Sequence, residues 1–201
     1  SGIFNNSGSI TALTNNAGGT ISANGTGIYN DNAGTIDSLS NSGLISTNKG
    51  TGINNAVNST IGTLTNNAGG TISGGQTGIL NSGTIGALTN SGTLGGGSNG
   101  IVNSGTIGTL TNNVGGTISG ASFGVSNTGT IVTLTNNGTV SGGSTDIGNY
   151  GRIDTLTSSG ALSGGYDGIV NSNASTIGSL NNSGSISVNY TGIYNDGSIG
   201  T

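Results

Sequence analysis

Residues 77–98 read TGILNSGTIGALTNSGTLGGGS, and residues 99–122 read NGIVNSGTIGTLTNNVGGTISGAS. The second segment repeats the first with a few substitutions and one insertion of two residues. A fixed period of about 20–50 residues is typical of solenoids and related proteins, in which each unit stacks on the next. The unit recurs along the whole 201-residue chain, as eight units of 22–26 residues and the start of a ninth.

Four apolar positions recur in every complete unit. In the unit at 77–98 they are Ile79, Ile85, Leu88 and Leu94. The second and third positions are always three residues apart, and longer units mostly add two residues. Because strand side chains alternate with a period of two, an insertion of two residues keeps the apolar set on one face. We therefore expect each apolar position to form a column of side chains stacked along an inner wall.

The composition favours strands over helices. Glycine and β-branched residues dominate, and the apolar spacing does not follow the helical period. Each unit is predicted to hold three short strands separated by turns, near 78–81, 84–89 (bent near Gly86) and 93–95 in the unit quoted first. The sequence thus predicts an all-β, right-handed parallel β-helix (β-solenoid) of about eight to nine coils; the hand follows from the crossover rule. Residues 1–201 are expected to be a single array, cut from a longer one.

Asparagine occupies two further columns. One lies two residues after the first isoleucine in all nine units, and the other lies two residues after the leucine in seven of eight units, with Ser158 as the exception. Stacked amides can bond up and down a ladder, and asparagine suits turns, so we expect structural ladders at the coil corners. The following glycines, such as Gly83 and Gly92, are predicted to adopt positive φ. The ladder residues singled out are Asn30, Asn81, Asn103, Asn127, Asn149 and Asn171 in the first column and Asn90, Asn112 and Asn136 in the second.

Charge is almost absent, with six acidic and two basic residues and a net charge of −4. Nucleic acid is not an expected partner, because neutralising phosphates requires Lys and Arg. Without Cys or His there is no disulfide and no Ser-His-Asp triad. We expect no metal and no cofactor, since carboxylates are not clustered. No apolar run reaches the length of a membrane helix, so this segment is not expected to insert into a membrane.

Threonine pairs flank the leucine column on the predicted outer surface. Regular threonine rungs are similar to the ice-binding face of β-solenoid antifreeze proteins, whereas the plainer interpretation is β-propensity on a solvated sheet. The candidate ice- or partner-binding residues are Thr63, Thr65, Thr89, Thr109, Thr111, Thr133, Thr135, Thr155 and Thr157.

Four aromatic residues are candidate recognition residues. Phe4 and Tyr29 share one outward column, and Tyr166 and Tyr190 share another. Aromatic rows of this kind either stabilise a solenoid by packing or bind sugars and partner surfaces.

Three aspartates suggest a further alternative. Asp146 replaces the usual glycine before the first isoleucine, Asp167 lies one coil later, and Asp154 lies elsewhere on the seventh coil. Paired carboxylates in a groove would suit a carbohydrate-active β-helix enzyme. Solvated turn aspartates are the simpler interpretation, and the chain is predicted not to be an enzyme.

The unit pattern GIxNSGTIGxLTNSGTISGG resembles the repeats of bacterial autotransporter passenger domains, which are secreted parallel β-helices, many of them adhesins. The resemblance covers essentially the whole chain and transfers no catalytic motif. It implies an extracellular protein, at the bacterial cell surface or secreted, exported through an outer-membrane translocator barrel. It also implies adhesion, autoaggregation or biofilm formation, with a second copy, a host or cell-surface protein, or a glycan as partner. A structural adhesin segment is the preferred hypothesis, ahead of an ice-binding solenoid and a carbohydrate-active enzyme.

Overall fold

The computed structural model describes residues 1–200 and shows a parallel β-solenoid. Each complete coil contributes three strands, and equivalent strands of successive coils form three parallel sheets along the rod. In the fourth coil these strands are Thr77–Asn81, Thr84–Asn90 and Thr93–Gly96. The predicted all-β architecture with three strands per coil is confirmed. Within the described residues there is no helix that could cross a membrane.

The strands of the first three coils and part of the fourth, in chain order, are β1 (Ile3–Asn6), β2 (Ser9–Asn15), β3 (Thr20–Ala23), β4 (Ile28–Asp31), β5 (Thr35–Asn41), β6 (Leu44–Thr47), β7 (Thr51–Asn55), β8 (Thr60–Asn66), β9 (Thr71–Gly74), β10 (Thr77–Asn81) and β11 (Thr84–Asn90). They continue as β12 (Thr93–Gly96), β13 (Asn99–Asn103), β14 (Thr106–Asn112), β15 (Thr117–Gly120), β16 (Phe123–Asn127), β17 (Thr130–Asn136), β18 (Thr139–Gly142) and β19 (Thr145–Asn149). The last are β20 (Arg152–Ser158), β21 (Ala161–Ser163), β22 (Asp167–Asn171), β23 (Thr176–Asn182), β24 (Ser185–Ser187), β25 (Thr191–Asn195) and β26 (Ser198–Ile199).

Every third strand belongs to the same sheet. Sheet A runs from β1 to β25, sheet B from β2 to β26, and sheet C from β3 to β24. Pairing is parallel and in register, so that Leu88 lies between Leu64 and Leu110 in sheet B. Ile79 likewise lies between Ile53 and Ile101 in sheet A. Each apolar position of the repeat is therefore a stacked column, as the spacing predicts.

The stacked columns form one continuous core along the rod. In the inner coils their side chains are at most 1% exposed, as Leu88 and Leu110 illustrate. Burying such a side chain contributes about 1.5–3 kcal/mol. The columns are only partly buried in the end coils, for example at Ile3 and Ile199, because an end coil is covered on one side. The core is thus a product of stacking, and no coil could form it alone.

The strands of sheet B bend so that two core positions three residues apart both face inward. Ile85 and Leu88 are each fully buried in β11. The strand pairs with the neighbouring coils on both sides of Gly86 but not at Gly86 itself. The predicted bend near Gly86 is therefore confirmed.

The predicted positive φ at Gly83 and Gly92 is wrong. These glycines are required by close approach between coils: a Cβ on Gly83 would lie 2.2 Å from the carbonyl oxygen of Ser59, and one on Gly92 would lie 2.2 Å from that of Gly70. The glycines with positive φ lie in the longer turns that precede sheet C, at Gly18, Gly69 and Gly115.

Candidate binding faces

The first asparagine column forms a hydrogen-bonded ladder inside the corner between sheets A and B. The Nδ2 of Asn81 donates to the Oδ1 of Asn103 at 2.8 Å, and Asn103 donates to Asn127 in the same way. The chain of side-chain hydrogen bonds runs without a break from Asn5 to Asn195, with distances of 2.7–2.9 Å. The buried amides thus satisfy one another along the rod.

The second asparagine column forms a shorter ladder at the corner between sheets B and C. Its links run from Asn15 to Asn136 at 2.8–2.9 Å. The next position is Ser158, whose hydroxyl accepts a longer hydrogen bond of 3.3 Å from Asn136. Both ladders face the interior, so they fix the corners and present no binding surface.

The candidate threonines do lie together on the outer face of sheet B. One column pairs Thr65, Thr89, Thr111, Thr135 and Thr157 without interruption over five coils. The parallel column holds Thr63, Ala87, Thr109, Thr133 and Thr155. All nine threonines are partly or fully exposed, and the leucine between each pair is buried. We call these two columns the threonine face.

The threonine hydroxyls on this face are largely free of protein partners. Within residues 1–200, Thr63 donates a long bond of 3.4 Å to the backbone oxygen of Asp37, and the other eight threonines make no side-chain hydrogen bond. No residue in the stretch 50–145 is charged. Beyond this stretch, the nearest charges on sheet B are Asp37, in the strand that pairs with the first threonine rung, and the Arg152–Asp154 ion pair, in the strand of the last rung. Four of the five coils that carry the face therefore hold no charged residue, and the face offers both hydroxyl and methyl groups.

The four candidate aromatic residues behave as two different pairs. The rings of Phe4 and Tyr29 are stacked, with centroids 5.3 Å apart and planes at 24°. The pKa of the Tyr29 hydroxyl is raised by partial burial and by the hydrogen bond and charge of Asp31. The N–H of Tyr190 donates a backbone hydrogen bond of 2.9 Å to the Tyr166 oxygen, yet the two residues are 82% and 65% exposed.

One aromatic contact is not predicted by the repeat pattern. The rings of Phe123 and Tyr150 meet edge to face, with centroids 6.1 Å apart. Both rest on Gly148, where a Cβ would lie 3.0 Å from an atom of each ring. The pKa of Tyr150 is raised by partial burial and by the charge of Asp167. Gly148 is the sequence feature that indicates this contact, because the equivalent position carries a side chain in all of the remaining coils.

The three aspartates do not assemble into an acidic site. Asp146 is fully buried; its Oδ1 accepts a hydrogen bond of 2.8 Å from the Gly142 N–H, and its Oδ2 has no partner. Burial raises the pKa of Asp146 to about 6, against the smaller opposing effect of that hydrogen bond. Asp154 lies in sheet B, paired with Arg152, whereas Asp167 lies in sheet A. Within residues 1–200 no three acidic residues are grouped as a metal site would require.

A shallow notch lies at the corner between sheets B and C. The longer turns of the first and third coils project on either side of the short turn at Ser42 and Gly43 and enclose roughly 350 Å³. Glycine, threonine, serine and leucine line it, without an ionisable side chain.

Neither a protein-family model, nor a curated protein, nor a solved structure matches this chain. The resemblance to autotransporter passengers therefore rests on the unit pattern and on the parallel solenoid.

Proposed function

We propose that this chain is an adhesive rod at the bacterial cell surface, or secreted from it, that mediates cell–cell association or attachment. One observation carries the proposal: the outer surface stacks equivalent positions in register over eight coils, and few of these positions are charged. The outward positions of that surface are mostly threonine, serine and asparagine.

Repetition of weak contacts along the rod can supply the binding affinity that a single contact lacks. An exposed hydrogen bond between polar side chains contributes little to affinity, because it replaces a bond to water. When many equivalent contacts are linked on one rod, the later ones form intramolecularly and the avidity rises by orders of magnitude. A second copy of the rod, a cell-surface protein or a glycan with its own repeat would each exploit this arrangement.

The autotransporter resemblance supports the same proposal. A passenger segment would be exported through its translocator and held away from the cell, where a rod is useful as a spacer. The coding sequence on either side of this segment tests that part, since a C-terminal translocator domain is expected there. A complete gene that encodes no translocator would contradict it.

We do not propose catalysis. Asp146 is sealed in the wall and cannot contact a polysaccharide, and Asp154 and Asp167 lie on different sheets.

The test of adhesion uses beads coated with the whole chain at increasing density. We expect the beads to clump with each other, or to be retained on bacterial cells or immobilised polysaccharide, with a steep dependence on coating density. Deleting residues 77–122 removes two complete coils and joins equivalent positions, so the shortened rod should fold and bind less. Beads that stay dispersed and unbound at every density would contradict the proposal.

A further inference from the structure

The threonine face differs from the other outer surfaces of the rod in its regularity. Its two columns occupy five consecutive coils, from the rung of Thr63 and Thr65 to the rung of Thr155 and Thr157, and Ala87 is the only interruption. In the same coils, the outward column of sheet A changes from Asn54 to Leu80 and then to Val102.

Because the strands pair in register, the threonine side chains form a regular two-dimensional array on this face. Paired positions of successive coils lie about 4.8 Å apart, and the two threonines of a rung lie about 6.6 Å apart, which is two residues of extended strand. Oxygen repeats of comparable size occur on the surface planes of hexagonal ice. The array therefore offers hydroxyl and methyl groups at intervals that ordered water can match in both directions.

The face is also held rigid. Threonine is branched at Cβ and restricted at χ1, so its hydroxyl and methyl keep fixed directions. The leucine between each pair is buried, for example Leu110 between Thr109 and Thr111, and Asn112 of the second ladder follows directly. Side chains fixed in this way lose little conformational entropy when the face orders water or binds an ice surface.

Charge and hydrogen bonding leave this face available to surface water. Residues 50–145, which include four of the five coils of the face, carry no charge that would steer a protein or anchor an anionic polymer. In the fifth coil Arg152 and Asp154 are paired with each other. Eight of the nine threonine hydroxyls have no protein partner within residues 1–200, so they are available to surface water.

We infer that the threonine face binds ice, by ordering water on its hydroxyl and methyl lattice. This activity is separate from adhesion and acts through one sheet only.

The experiment measures thermal hysteresis and ice-crystal shape with the purified whole chain. We expect a gap between melting and freezing points, and faceted crystals. Thr111→Tyr or Thr135→Tyr places a bulky ring in the centre of the lattice and should reduce the hysteresis several-fold. Val102→Tyr on sheet A is the matched control, because Tyr29 and Tyr194 occupy the same column in other coils, and it should leave the hysteresis unchanged.

A variant that gains activity makes the test sharper. Ala87→Thr completes the second column and should raise the hysteresis above that of the native chain; an unchanged or lower value contradicts the assignment of the face. Far-UV circular dichroism establishes that each variant keeps the strand content. The inference is overturned if the native chain neither shapes ice nor shows hysteresis. Equal losses in Thr111→Tyr and Val102→Tyr overturn it as well. Adhesion is measured on beads in liquid water, so either result leaves that proposal standing.

Discussion

The amide nitrogen of Asn81 donates to the Oδ1 of Asn103 in the next coil at 2.8 Å, and both side chains are fully buried. The same nitrogen lies 3.2 Å from the Gly83 oxygen of its own turn and 3.0 Å from the Thr106 oxygen of the next coil. One side chain therefore ties its own corner to the corner above. Repeated along the rod, this contact allows polar backbone groups to turn a corner next to an aliphatic core.

Truncating one amide of this ladder should destabilise the rod. Asn103→Ala removes the acceptor of Asn81 and the side-chain donor to the oxygens of Gly105 and Thr130. Each buried polar group left without a partner costs about 1–3 kcal/mol, so we expect a loss of about 3 kcal/mol or more. Urea unfolding followed by circular dichroism measures it. Asn182→Ala, at an exposed position, is the control and should cost less than about 1 kcal/mol.

Restoring the second ladder should stabilise the rod. Ser158 is the one position among the eight of this column that is not asparagine, and its bond from Asn136 is longer than the links before it. Ser158→Asn supplies an Oδ1 for Asn136 and a new amide toward Asn182. We expect a gain of about 1 kcal/mol in the free energy of unfolding, the value of one hydrogen bond. A loss of stability in the same urea titration would show that this corner has no room for the amide.

Glycines at the coil corners should tolerate substitution according to the distance to the neighbouring coil. A Cβ on Gly83 would lie 2.2 Å from the Ser59 oxygen, which is backbone and cannot rotate away. Gly83→Ala should therefore cost several kcal/mol, in the range of about 4–5 that marks severe steric disruption. Gly25→Ala is the control, since a Cβ there meets nothing within 4 Å. Similar melting temperatures for the two variants would contradict this account of the turns.

Most of the fold could be predicted because its determinants are periodic. The apolar columns that contain residues such as Ile79 and Leu88 determine which residues face inward and how successive coils stack. The reason why position 83 requires glycine could not be predicted in the same way. It depends on the distance between this turn and the previous coil, which is set by how the turns stack. The contact of Phe123 with Tyr150 across Gly148 joins two coils with single, unrepeated substitutions. The repeat pattern contains no information about such events.

Asp146 is another residue whose environment the repeat pattern does not predict. Its burial makes the stability of the fold depend on pH. Its position predicted a turn aspartate, yet the side chain is fully buried and burial raises its pKa from 3.8 to about 6. Between these two values the folded chain binds more protons than the unfolded chain, so stability falls as the pH rises through this window. We expect the melting temperature to be lower at pH 7 than at pH 4 because of this residue.

Replacing the buried carboxyl should remove that dependence. Asp146→Gly restores the residue found at this position in the other coils and should flatten the melting temperature between pH 4 and pH 7. Asp196→Asn, at an exposed position, is the control and should keep the native slope. A slope that persists in Asp146→Gly would assign the pH dependence to another group.

The register of the coils is the claim on which the core, the ladders and the threonine face all depend. The chain contains no cysteine, so pairs of introduced cysteines report on it directly. Thr89 and Thr111 are paired across sheet B. Their Cα atoms lie about 4.8 Å apart, a distance that a disulfide can bridge. Thr89 and Thr109 are displaced by two residues and lie about 8 Å apart, which is too far. We predict that the Thr89→Cys/Thr111→Cys chain forms an intramolecular disulfide under mild oxidation and that Thr89→Cys/Thr109→Cys does not. Efficient bridging of the second pair, or none of the first, would contradict the stacked solenoid.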